Sequence, residues 1–548
     1  MFLNEYIDEN FITKTPEHFN FAFDVVDRFA IEEPEKIALV WCDDHNSEKI
    51  LTFSELAKQV NKTANVLKSL GIKKGDAVML MLRRRYEFWY MLLALHKIGA
   101  IAVPATVQLL PSDITYRIEK ANIKMVVAVN DSNVISHIED SICELKEKYL
   151  DNKKVPQVML INGKKDYWID FENLFENASS DFTEKPCSEN EDICILYFTS
   201  GTSGYPKMVS HNYFYPLGHI VTAKCWQNVK ENGLHLSLAE TGWAKALWGK
   251  IYGQWLCGCG VFVYDMDSFV PNKILDHIQN YKVTSFCAPP TAYRYLLRED
   301  LSKFDLSNLE ECTTAGEALT QDIFDNFKEK TGITLREGYG QTELTLTAGT
   351  FPWDEIRVGS MGKASPNYDL DVIRPDGSSC DFDEVGEIVV RIEKSRPLGM
   401  FAGYFEDEEK TNSVFKDGIY HTGDSGRKDK DGYFWFEGRT DDMIKSSGFR
   451  ISPFEVESVL LNHPAVFECA VTGVQDDKRG QIVKATIVLQ PGFEPSDELT
   501  KDIQNHVKRV TAPYKYPRLI EYTDEIPETI SGKTRRVEIR ENDQKKFN

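Results

Sequence analysis

Nine consecutive residues near the middle of the chain combine hydroxyls, glycines and a lysine directly after an apolar run. They are Thr199, Ser200, Gly201, Thr202, Ser203, Gly204, Tyr205, Pro206 and Lys207. Glycines let the backbone approach a ligand closely and turn its N–H groups toward it, hydroxyls add donors, and the lysine adds a positive charge. These properties are the requirements of a loop that cradles a polyphosphate.

This phosphate loop differs from the G-x-x-x-x-G-K-[ST] motif. Gly201 and Lys207 lack that spacing, and Pro206 interrupts the point where the motif would open its helix. A Ser/Gly turn of a hairpin is the alternative, and three or four such residues would favour it. Nine residues in this order favour phosphate binding.

A second cluster follows a predicted strand and consists of Gly338, Tyr339, Gly340, Gln341, Thr342 and Glu343. An aromatic ring can stack on a base, and a carboxylate close to a triphosphate can hold Mg²⁺, which prefers oxygen ligands. Taken alone, the string is more typical of a turn at a strand end. A phosphate loop in the same chain favours a nucleotide site instead.

The elements that position these clusters follow from the hydrophobic pattern. Between about residues 50 and 340, β-branched runs such as 126–129, 193–198, 261–264 and 283–288 alternate with amphipathic helical stretches. The helical stretches include 272–280 and 320–331. This alternation predicts βα units around largely parallel sheets.

The pattern changes after about residue 360. Short alternating runs at 386–391 and 432–436 predict antiparallel sheet. A small α+β unit is then predicted, with helices at 454–462 and 497–510 and strands at 468–472 and 483–489. The fold class is therefore α/β, with a large N-terminal domain of βα-built sheets, a distorted antiparallel β subdomain and a small α+β C-terminal domain. The polar segment 437–442 is the predicted boundary, although it could also be a loop within one domain.

Composition excludes several classes of protein. The chain has 548 residues, so at least two compact units are expected, and 42% hydrophobic with 27% charged residues is typical of a globular protein. A formal net charge of −21 argues against nucleic acid or anionic membrane as the main partner. Among eleven scattered cysteines only Cys257 and Cys259 are close in sequence, which predicts a reducing compartment and no structural metal.

The N-terminal residues lack the pattern of a signal or transit peptide, and the apolar stretch 88–95 is too short to span a bilayer. We therefore expect a cytoplasmic protein without a membrane span. The sequence does not indicate an oligomeric state.

The phosphate loop resembles the signature loop of the adenylate-forming acyl-activating enzymes, the superfamily of acyl-CoA synthetases, adenylation domains and beetle luciferase. The resemblance covers most of the chain. The medium-chain acyl-CoA synthetase group is the most similar part of this superfamily. Two segments carry that similarity, Thr-Gly-Trp-Ala-Lys at 241–245 and Val-Thr-Ala-Pro-Tyr-Lys-Tyr-Pro-Arg at 510–518. The resemblance implies that a carboxylic acid and ATP give an acyl-adenylate and pyrophosphate, and that coenzyme A then gives acyl-CoA and AMP.

For ATP, the resemblance implies contacts from the phosphate loop, from the second cluster and from an adenine-edge loop. Thr342 is implied near the α-phosphate and the carboxylate, and Glu343 on magnesium. Asp424 matches the carboxylate that accepts the ribose hydroxyls and Arg439 a second ribose and phosphate contact, although either could be a surface charge. The implied ATP contacts beyond the phosphate loop are Gly316, Glu317, Ala318, Glu337, Gly338, Tyr339, Gly340, Gln341, Thr342, Asp424, Arg439 and Lys533.

Near the C-terminus, Lys533 matches the family lysine that bridges carboxylate and α-phosphate oxygens during adenylation, where it neutralises developing charge. With Thr342 and Glu343 it forms the implied catalytic set. Asp441 matches the hinge about which the small domain rotates between the two half-reactions. The implied domains are residues 1–440, which bind the nucleotide and the acid, and a mobile domain of residues 441–548.

A coenzyme A site on an acidic protein needs local cations, which Arg450, Arg479, Lys508, Lys515 and Arg518 could provide or which could be ordinary surface charges. Ser452 follows Arg450 and Ile451 at a position where the family usually has glycine. Matches to the coenzyme contacts of the medium-chain group are Ser447, Gly448, Phe449, Arg450, Arg479, Lys508 and Tyr516.

Acetyl-specific relatives place a tryptophan where Gly340 stands, so the glycine implies room for a longer acid. Trp243, Lys245 and Trp248 lie on the stretch that lines the acyl pocket of relatives, and Gln108 and Thr342 match further contacts. The two tryptophans could instead be core residues. A cation between them is costly to bury without an anionic partner, so we expect Lys245 near the carboxylate or a polar group of the acid.

Two other functions stay open from sequence. A ligase that loads an acyl carrier protein would share the first half-reaction, and a catalytically silent nucleotide or acyl sensor would share only the binding site. The acid can be medium-chain, branched or aromatic.

Overall fold

The computed structural model describes residues 2–149, 154–199, 206–317, 319–447, 449–476, 478–528 and 534–547. The strands of these residues are β1 Ile37–Asp43, β2 Glu48–Thr52, β3 Ala77–Met81, β4 Ile101–Pro104, β5 Ile123–Val129, β6 Gln157–Ile161, β7 Ile169–Asp170, β8 Ile193–Thr199, β9 Lys207–Asn212, β10 Leu234–Ser237, β11 Gly260–Asp265, β12 Ser285–Cys287, β13 Glu311–Ala315, β14 Leu335–Tyr339, β15 Ala348–Gly349, β16 Lys363–Ala364, β17 Asp369–Ile373, β18 Gly386–Arg391, β19 Gly403–Tyr404, β20 Phe415–Lys416, β21 Ile419–Lys428, β22 Phe434–Arg439, β23 Ile444–Ser446, β24 Phe449–Ile451, β25 Val466–Asp476, β26 Gly480–Leu489 and β27 Leu519–Tyr522.

The α-helices of the same residues are α1 Arg28–Glu32, α2 Phe53–Ser69, α3 Glu87–Ile98, α4 Pro111–Lys120, α5 Ser132–Lys148, α6 Phe171–Asn177, α7 Tyr215–Val221, α8 Lys245–Gly249, α9 Tyr252–Leu256, α10 Pro271–Asn280, α11 Pro290–Leu296, α12 Gln321–Thr331, α13 Glu408–Val414, α14 Pro453–Leu460, α15 Asp497–Val510 and α16 Arg536–Phe547. Short 3₁₀ helices span Phe2–Glu5, Leu301–Lys303 and Pro513–Lys515, and π-helical turns span Ala22–Asp27 and Thr222–Trp226.

Two large mixed sheets form the body of the protein. One has the strand order β19-β9-β8-β4-β3-β5-β6-β7, and the other has the order β16-β15-β14-β13-β12-β10-β11-β1-β2. Their centres are parallel, as the βα pattern predicts, while their ends carry antiparallel strands. The fold is therefore α/β, and the parallel strands direct several strand ends and loops toward one region.

The apolar stretch 88–95 lies within α3, which is buried on every face. Its residues belong to the largest hydrophobic core, which also contains side chains of both large sheets. A helix that is apolar all round is typical of a position inside a core. Among the residues that the structure describes, no helix is long and apolar enough to cross a bilayer.

A third sheet is antiparallel, with the order β17-β18-β21-β20 and β22 paired to β21. In it Asp424 of β21 stands opposite Arg439 of β22. A fourth sheet, β24-β23-β26-β25 with β27 beside β26, packs with α14 and α15 around its own small core. The large N-terminal and smaller C-terminal domains expected from sequence are thus present, and Asp441 lies in the turn between the third and fourth sheets.

Most elements lie where the sequence predicts them, and the differences are at their ends. The helix predicted at 497–510 and the strand predicted at 386–391 have the observed bounds. The strand predicted at 283–288 is shorter, at Ser285–Cys287. The strand predicted at 432–436 begins at Phe434 and continues to Arg439, because its pairing with β21 extends into the polar segment.

Candidate active site

The phosphate loop joins two antiparallel strands of the first sheet, β8 and β9. Thr199 at the end of β8 stands opposite Lys207 at the start of β9. Ser200, Gly201, Thr202, Ser203, Gly204 and Tyr205 lie outside the described residues. Nζ of Lys207 lies 5.3 Å from the centre of the Tyr404 ring. Burial and the nearby Lys410 lower the pKa of Lys207, whereas the carboxylate of Glu343 opposes that change.

The turn that carries Thr342 and Glu343 approaches the same place from the end of β14. The Thr342 carbonyl accepts a hydrogen bond from Nε2 of His211 at 2.8 Å. The backbone N–H of Phe401 donates to the Glu343 carbonyl at 2.8 Å, and the Tyr404 hydroxyl donates to Oε1 of Glu343 at 3.0 Å. Lys207 and Glu343, predicted from separate motifs, therefore lie around one tyrosine.

Asp424 is the centre of a buried polar cluster. Its Oδ1 accepts from Nη1 of Arg439 at 2.9 Å, and its Oδ2 accepts from Nε2 of Gln341 at 2.6 Å and from the Tyr339 hydroxyl. Tyr420 donates to Oε1 of Gln341 at 3.0 Å. Burial opposes the charge of Arg439, but the carboxylates of Asp424 and Asp441 raise its pKa overall. Four of the five residues in this cluster were predicted from sequence, and the structure brings them into direct contact.

The adenine-edge loop follows β13. Gly316 has a φ of 103°, which favours glycine, and Ala318 lies outside the described residues. Glu317 accepts from the Thr291 hydroxyl at 2.7 Å and is exposed. Behind the loop, the two carboxylate oxygens of Glu337 accept backbone N–H groups of Leu319 at 3.0 Å and Gly359 at 2.7 Å. Burial raises the pKa of Glu337 to about 8.

The two glycines of the second cluster pack against tryptophans. A Cβ at Gly338 would lie 2.6 Å from the Trp226 ring. A Cβ at Gly340 would lie 2.4 Å from the Trp248 ring and 2.3 Å from the Thr345 carbonyl oxygen. The indole of Trp248 therefore occupies the space beside Gly340 that the sequence assigned to the acid.

The remaining acyl-pocket candidates lie at different depths. Trp243 is half-buried, and Gln108 is exposed, with its N–H donating to the Thr106 hydroxyl at 3.3 Å. Nζ of Lys245 donates to the Ala315 carbonyl, next to Gly316. Lys245 thus lies where the acyl stretch meets the adenine-edge loop.

The coenzyme candidates lie on an exposed face of the C-terminal domain. Phe449 stacks on Tyr514 with ring centres 4.1 Å apart, and the two side chains are 48% and 38% exposed. Nη1 of Arg479 donates to the Ser447 hydroxyl at 3.2 Å.

The other cations of this face contact aromatic or acidic side chains. Nζ of Lys508 lies 4.0 Å from the centre of the Tyr516 ring, and Arg518 donates to the Tyr516 hydroxyl at 2.7 Å. Lys515 pairs with Glu455. Gly448 lies outside the described residues, and only the backbone of Arg450, in β24, is described.

Lys533 also lies outside the described residues, but both sides of its segment are described. Glu528 and Thr534 form an antiparallel bridge, and Arg535 N–H donates to the Pro527 carbonyl at 2.7 Å.

Ser452, where the family usually has glycine, is the N-cap of α14. Its hydroxyl accepts the N–H of Glu455 at 3.0 Å, so the serine stabilises the start of this helix.

Sequence reasoning missed several residues that contact the predicted ones. His211, Trp226, Tyr404 and Tyr420 all touch the nucleotide motifs, yet none was a candidate. Each belongs to a strand or helix distant in sequence from its partner, so no local spacing indicates the contact.

Comparisons with known proteins agree with this fold. The family model described as AMP-binding enzyme matches residues 26–405, and the model described as AMP-binding enzyme C-terminal domain matches residues 455–533. The chain belongs to the AMP-binding enzyme family.

Its relatives are acyl-CoA synthetases and CoA ligases. The mitochondrial acyl-coenzyme A synthetase ACSM3 of Homo sapiens is 38% identical over 99% of this chain and 92% of its own length. The 4-hydroxybutyrate–CoA ligase 1 of Metallosphaera sedula is 41% identical over 96% of this chain and 91% of its own length. The crystal structure of the anthranilate CoA ligase AuaEII with anthranoyl-AMP has a TM-score of 0.85 at 30% identity and covers 97% of this chain and 99% of that chain.

Proposed function

We propose that this protein is an AMP-forming acyl-CoA synthetase that converts a carboxylic acid, ATP and coenzyme A into acyl-CoA, AMP and pyrophosphate. One observation carries the proposal. Lys207 and Glu343 both contact Tyr404, and the Asp424–Arg439 pair of the adjacent strands β21 and β22 is bonded through Gln341 to the turn that carries Glu343. Two cations and two carboxylates arranged in this way suit a nucleotide with a metal-bound triphosphate.

The chemistry needs no nucleophile from the protein. The acid's carboxylate attacks the α-phosphorus of ATP and expels pyrophosphate, and the thiol of coenzyme A later attacks the acyl carbon and expels AMP. Lys207 and Arg439 would bind phosphate oxygens, and Thr342 would orient the α-phosphate and the acid. Positioning and electrostatic stabilisation then account for catalysis.

Magnesium fits the donor set only together with the nucleotide. Oε1 of Glu343 accepts the Tyr404 hydroxyl, and no described residue donates to its Oε2. Among the described residues no group of three or more His, Cys, Asp or Glu side chains could hold a metal by itself. Mg²⁺ commonly uses one or two carboxylates with substrate phosphates and water, so Glu343 would bind it and the triphosphate would complete its shell. The ion would neutralise phosphate charge.

The two half-reactions require different groups at the acyl centre. We assign residues 1–440 to nucleotide and acid binding and residues 441–548 to a domain that rotates at Asp441. In one orientation Lys533 would reach the adenylation site, and in the other the face that carries Ser447 and Phe449 would deliver coenzyme A. The location of Asp441 between two sheets supports this assignment.

The acid is one longer or bulkier than acetate. The names of relatives support this proposal, since they include 4-hydroxybutyrate and anthranilate as substrates of those proteins. Because the Trp248 indole fills the space beside Gly340, we propose that acid length and shape depend on this tryptophan as well.

A panel of C2 to C12, branched and aryl acids tests the proposed function through AMP and pyrophosphate release. We expect release with several acids, little with acetate, and formation of acyl-CoA with free coenzyme A. Adenylation without turnover on free coenzyme A, combined with loading of a carrier protein, would assign the chain to carrier-protein ligases. Failure to release pyrophosphate with every acid would leave a nucleotide or acyl sensor.

We propose a cytoplasmic location. The eleven cysteines are all free, as expected in a reducing compartment. The names of several relatives include a mitochondrial location, so fractionation of cells that express the tagged full-length chain is the deciding measurement.

A further inference from the structure

Two neighbouring strands at the edge of the first sheet present one face to the turn of Thr342 and Glu343. In β9, Lys207, Val209 and His211 alternate along the strand and therefore point to the same side. Tyr404 of β19 stands directly opposite Val209. Side chains that are opposite each other in an antiparallel pair share a face, so Tyr404 lies between Lys207 and His211.

Each polar side chain of this face makes a defined contact with the candidate site. Tyr404 is only 6% exposed, and it contacts two groups of opposite charge, with its ring beneath Nζ of Lys207 and its hydroxyl bonded to Oε1 of Glu343. His211 is fully buried and bonds the Thr342 carbonyl. A carbonyl oxygen only accepts, so Nε2 of His211 must carry the proton and donate it.

We propose that Tyr404 and His211 are positioning residues that fix the Thr342–Glu343 turn and Lys207 in the geometry that binds magnesium–ATP. The inference rests on the proposed function, because it assigns these two residues to the same nucleotide site. In this arrangement Tyr404 orients Glu343, the proposed metal ligand, and Lys207, the proposed phosphate-binding lysine.

Glu343 and Lys207 have flexible side chains, so each needs a contact that fixes its direction before ATP binds. A glutamate side chain has three rotatable bonds, and a hydrogen bond to one of its oxygens fixes the direction of the other. A lysine ammonium gains from the face of an aromatic ring without being neutralised by it. Tyr404 can therefore hold a cation and an anion close together while both stay available to a charged ligand.

The test separates the hydroxyl from the ring. Tyr404→Phe keeps the ring under Lys207 and removes the bond to Glu343, so it should weaken only the part of ATP binding that depends on magnesium. Tyr404→Leu removes both contacts and should also weaken ATP binding in EDTA. Titration calorimetry of the full chain with ATP, in EDTA and in excess Mg²⁺, measures both constants without turnover. We expect Tyr404→Phe to reduce the gain from Mg²⁺ by roughly threefold to thirtyfold, as expected for loss of one hydrogen bond to a charged group.

His211 is tested by rescue. His211→Ala removes the donor to Thr342 and should weaken binding of magnesium–ATP by roughly tenfold, whereas His211→Gln offers an amide donor and should restore part of the loss. Tyr213→Phe is the matched control, because Tyr213 is a buried tyrosine directly after β9 whose hydroxyl donates at 3.1 Å to the backbone carbonyl of His96. Its binding constants should equal those of the wild type.

Three outcomes are distinguishable. A wild-type protein that does not bind ATP, or binds it equally with and without Mg²⁺, overturns the proposed function. Wild-type binding that strengthens with Mg²⁺, together with an unchanged Tyr404→Phe variant, overturns only the positioning role. A loss in Tyr213→Phe as large as that in Tyr404→Phe would assign the effect to general damage in the core and would also overturn it.

Discussion

Nη1 of Arg439 lies 2.9 Å from Oδ1 of Asp424, while Nε of the same guanidinium lies 3.5 Å from Asp441. One arginine therefore connects the predicted ribose carboxylate with the predicted hinge residue. The Asp424 side chain is 7% exposed and that of Arg439 is 35% exposed, so the pair is only partly screened by solvent. The predicted ribose carboxylate and the predicted hinge residue thus share one guanidinium, so we expect nucleotide binding and rotation at Asp441 to influence each other.

We predict that Arg439→Gln and Asp424→Asn each weaken ATP binding by roughly tenfold to a hundredfold, since each removes a charge partner from a partly buried pair. The double variant should lose less than the sum of the single losses, with a coupling energy of about 1–3 kcal/mol. Calorimetric titration of all four proteins with ATP measures this cycle. Strict additivity would show that the two side chains act independently.

The contact between Gly340 and Trp248 leads to a second prediction. A methyl group at residue 340 would overlap both a backbone oxygen and the indole, so Gly340→Ala should lower stability by about 1–3 kcal/mol. Trp248→Ala should instead open the space and shift kcat/KM toward longer or branched acids. The acid panel and thermal unfolding measure the two effects. An unchanged acid profile in Trp248→Ala would exclude this tryptophan from the acyl pocket.

Lys533 provides a third prediction, which separates the half-reactions. A cation that bridges the carboxylate and the α-phosphate stabilises charge that develops during adenylation only. Lys533→Ala should therefore lose most acyl-adenylate formation, while conversion of supplied acyl-adenylate and coenzyme A to acyl-CoA continues. Pyrophosphate exchange and single-turnover thiolation measure the two steps. Equal loss of both would contradict the division of labour between the two orientations.

The pKa of Glu337 gives a prediction about pH. Because burial raises the pKa of the folded protein's carboxyl to about 8, the folded state holds this proton between about pH 4.5 and 8 while the unfolded state does not. This group's contribution to the free energy of unfolding is therefore complete at low pH and falls as pH rises through that window. Above about pH 8 the contribution no longer changes.

Glu337→Gln tests the assignment. The amide cannot titrate, and its NH₂ group would face one of the two backbone N–H donors, from Leu319 or Gly359, so the variant should be less stable at pH 5 by about 1–3 kcal/mol. The difference from the wild type should shrink between pH 5 and pH 8. Denaturant unfolding at several pH values measures it, and a difference that stays constant with pH would show that Glu337 is already ionised.

Local patterns were sufficient to predict the elements that carry the site. The helix α15 was predicted correctly because Ser496 caps it and because Ile503 and Val507, one turn apart, face the core. The strand β18 was predicted from apolar residues between glycine and arginine. Lys207 and Glu343 were proposed because their motifs are continuous in sequence, whereas Asp424 was proposed from the family resemblance. Local order in the chain is therefore enough to place Lys207 at the start of a strand and Glu343 in the turn after one.

Contacts between distant segments could not be predicted in the same way. His211 and Thr342 are 131 residues apart, and their bond depends on how two sheets pack. The space at Gly340 is filled because of the side-chain rotamer of Trp248, and the spacing of residues in the sequence does not indicate a rotamer. The pairing of Asp424 with Arg439 depends on strand register. The sequence therefore proposes which groups form the site, whereas packing decides which of them touch.

A buried ion-pair network ties the start of the C-terminal domain to its last helix. Nη2 of Arg536 lies 2.6 Å from Oε2 of Glu457, and Oε1 of Glu457 accepts the Val471 N–H at 2.7 Å. Asp442, next to Asp441, accepts from Nη1 of Arg540 at 2.6 Å and lies 3.7 Å from Arg536. The helix α16 is thus fixed to Asp442, the residue beside the predicted hinge.

We predict that Arg536→Ala destabilises the C-terminal domain by about 2–4 kcal/mol, because Glu457 would be left buried without its cation. Arg535→Ala is the matched control, since Arg535 pairs only with Glu538 among the described residues and both side chains are largely exposed, so its cost should stay below about 1 kcal/mol. Tryptophan fluorescence cannot report the change, because Trp435 is the last tryptophan in the chain.

Hydrogen exchange followed by mass spectrometry supplies the measurement. In Arg536→Ala, peptides that contain the Val471 amide and helix α16 should exchange faster, while peptides of β3 and α3 in the large domain keep their wild-type rates. Adenylation should fall more than thiolation, because α16, which follows Lys533 in sequence, loses its ion pair with Glu457. Faster exchange in both domains would indicate global unfolding, and equal exchange in Arg536→Ala and Arg535→Ala would show that the buried pair does not stabilise this domain.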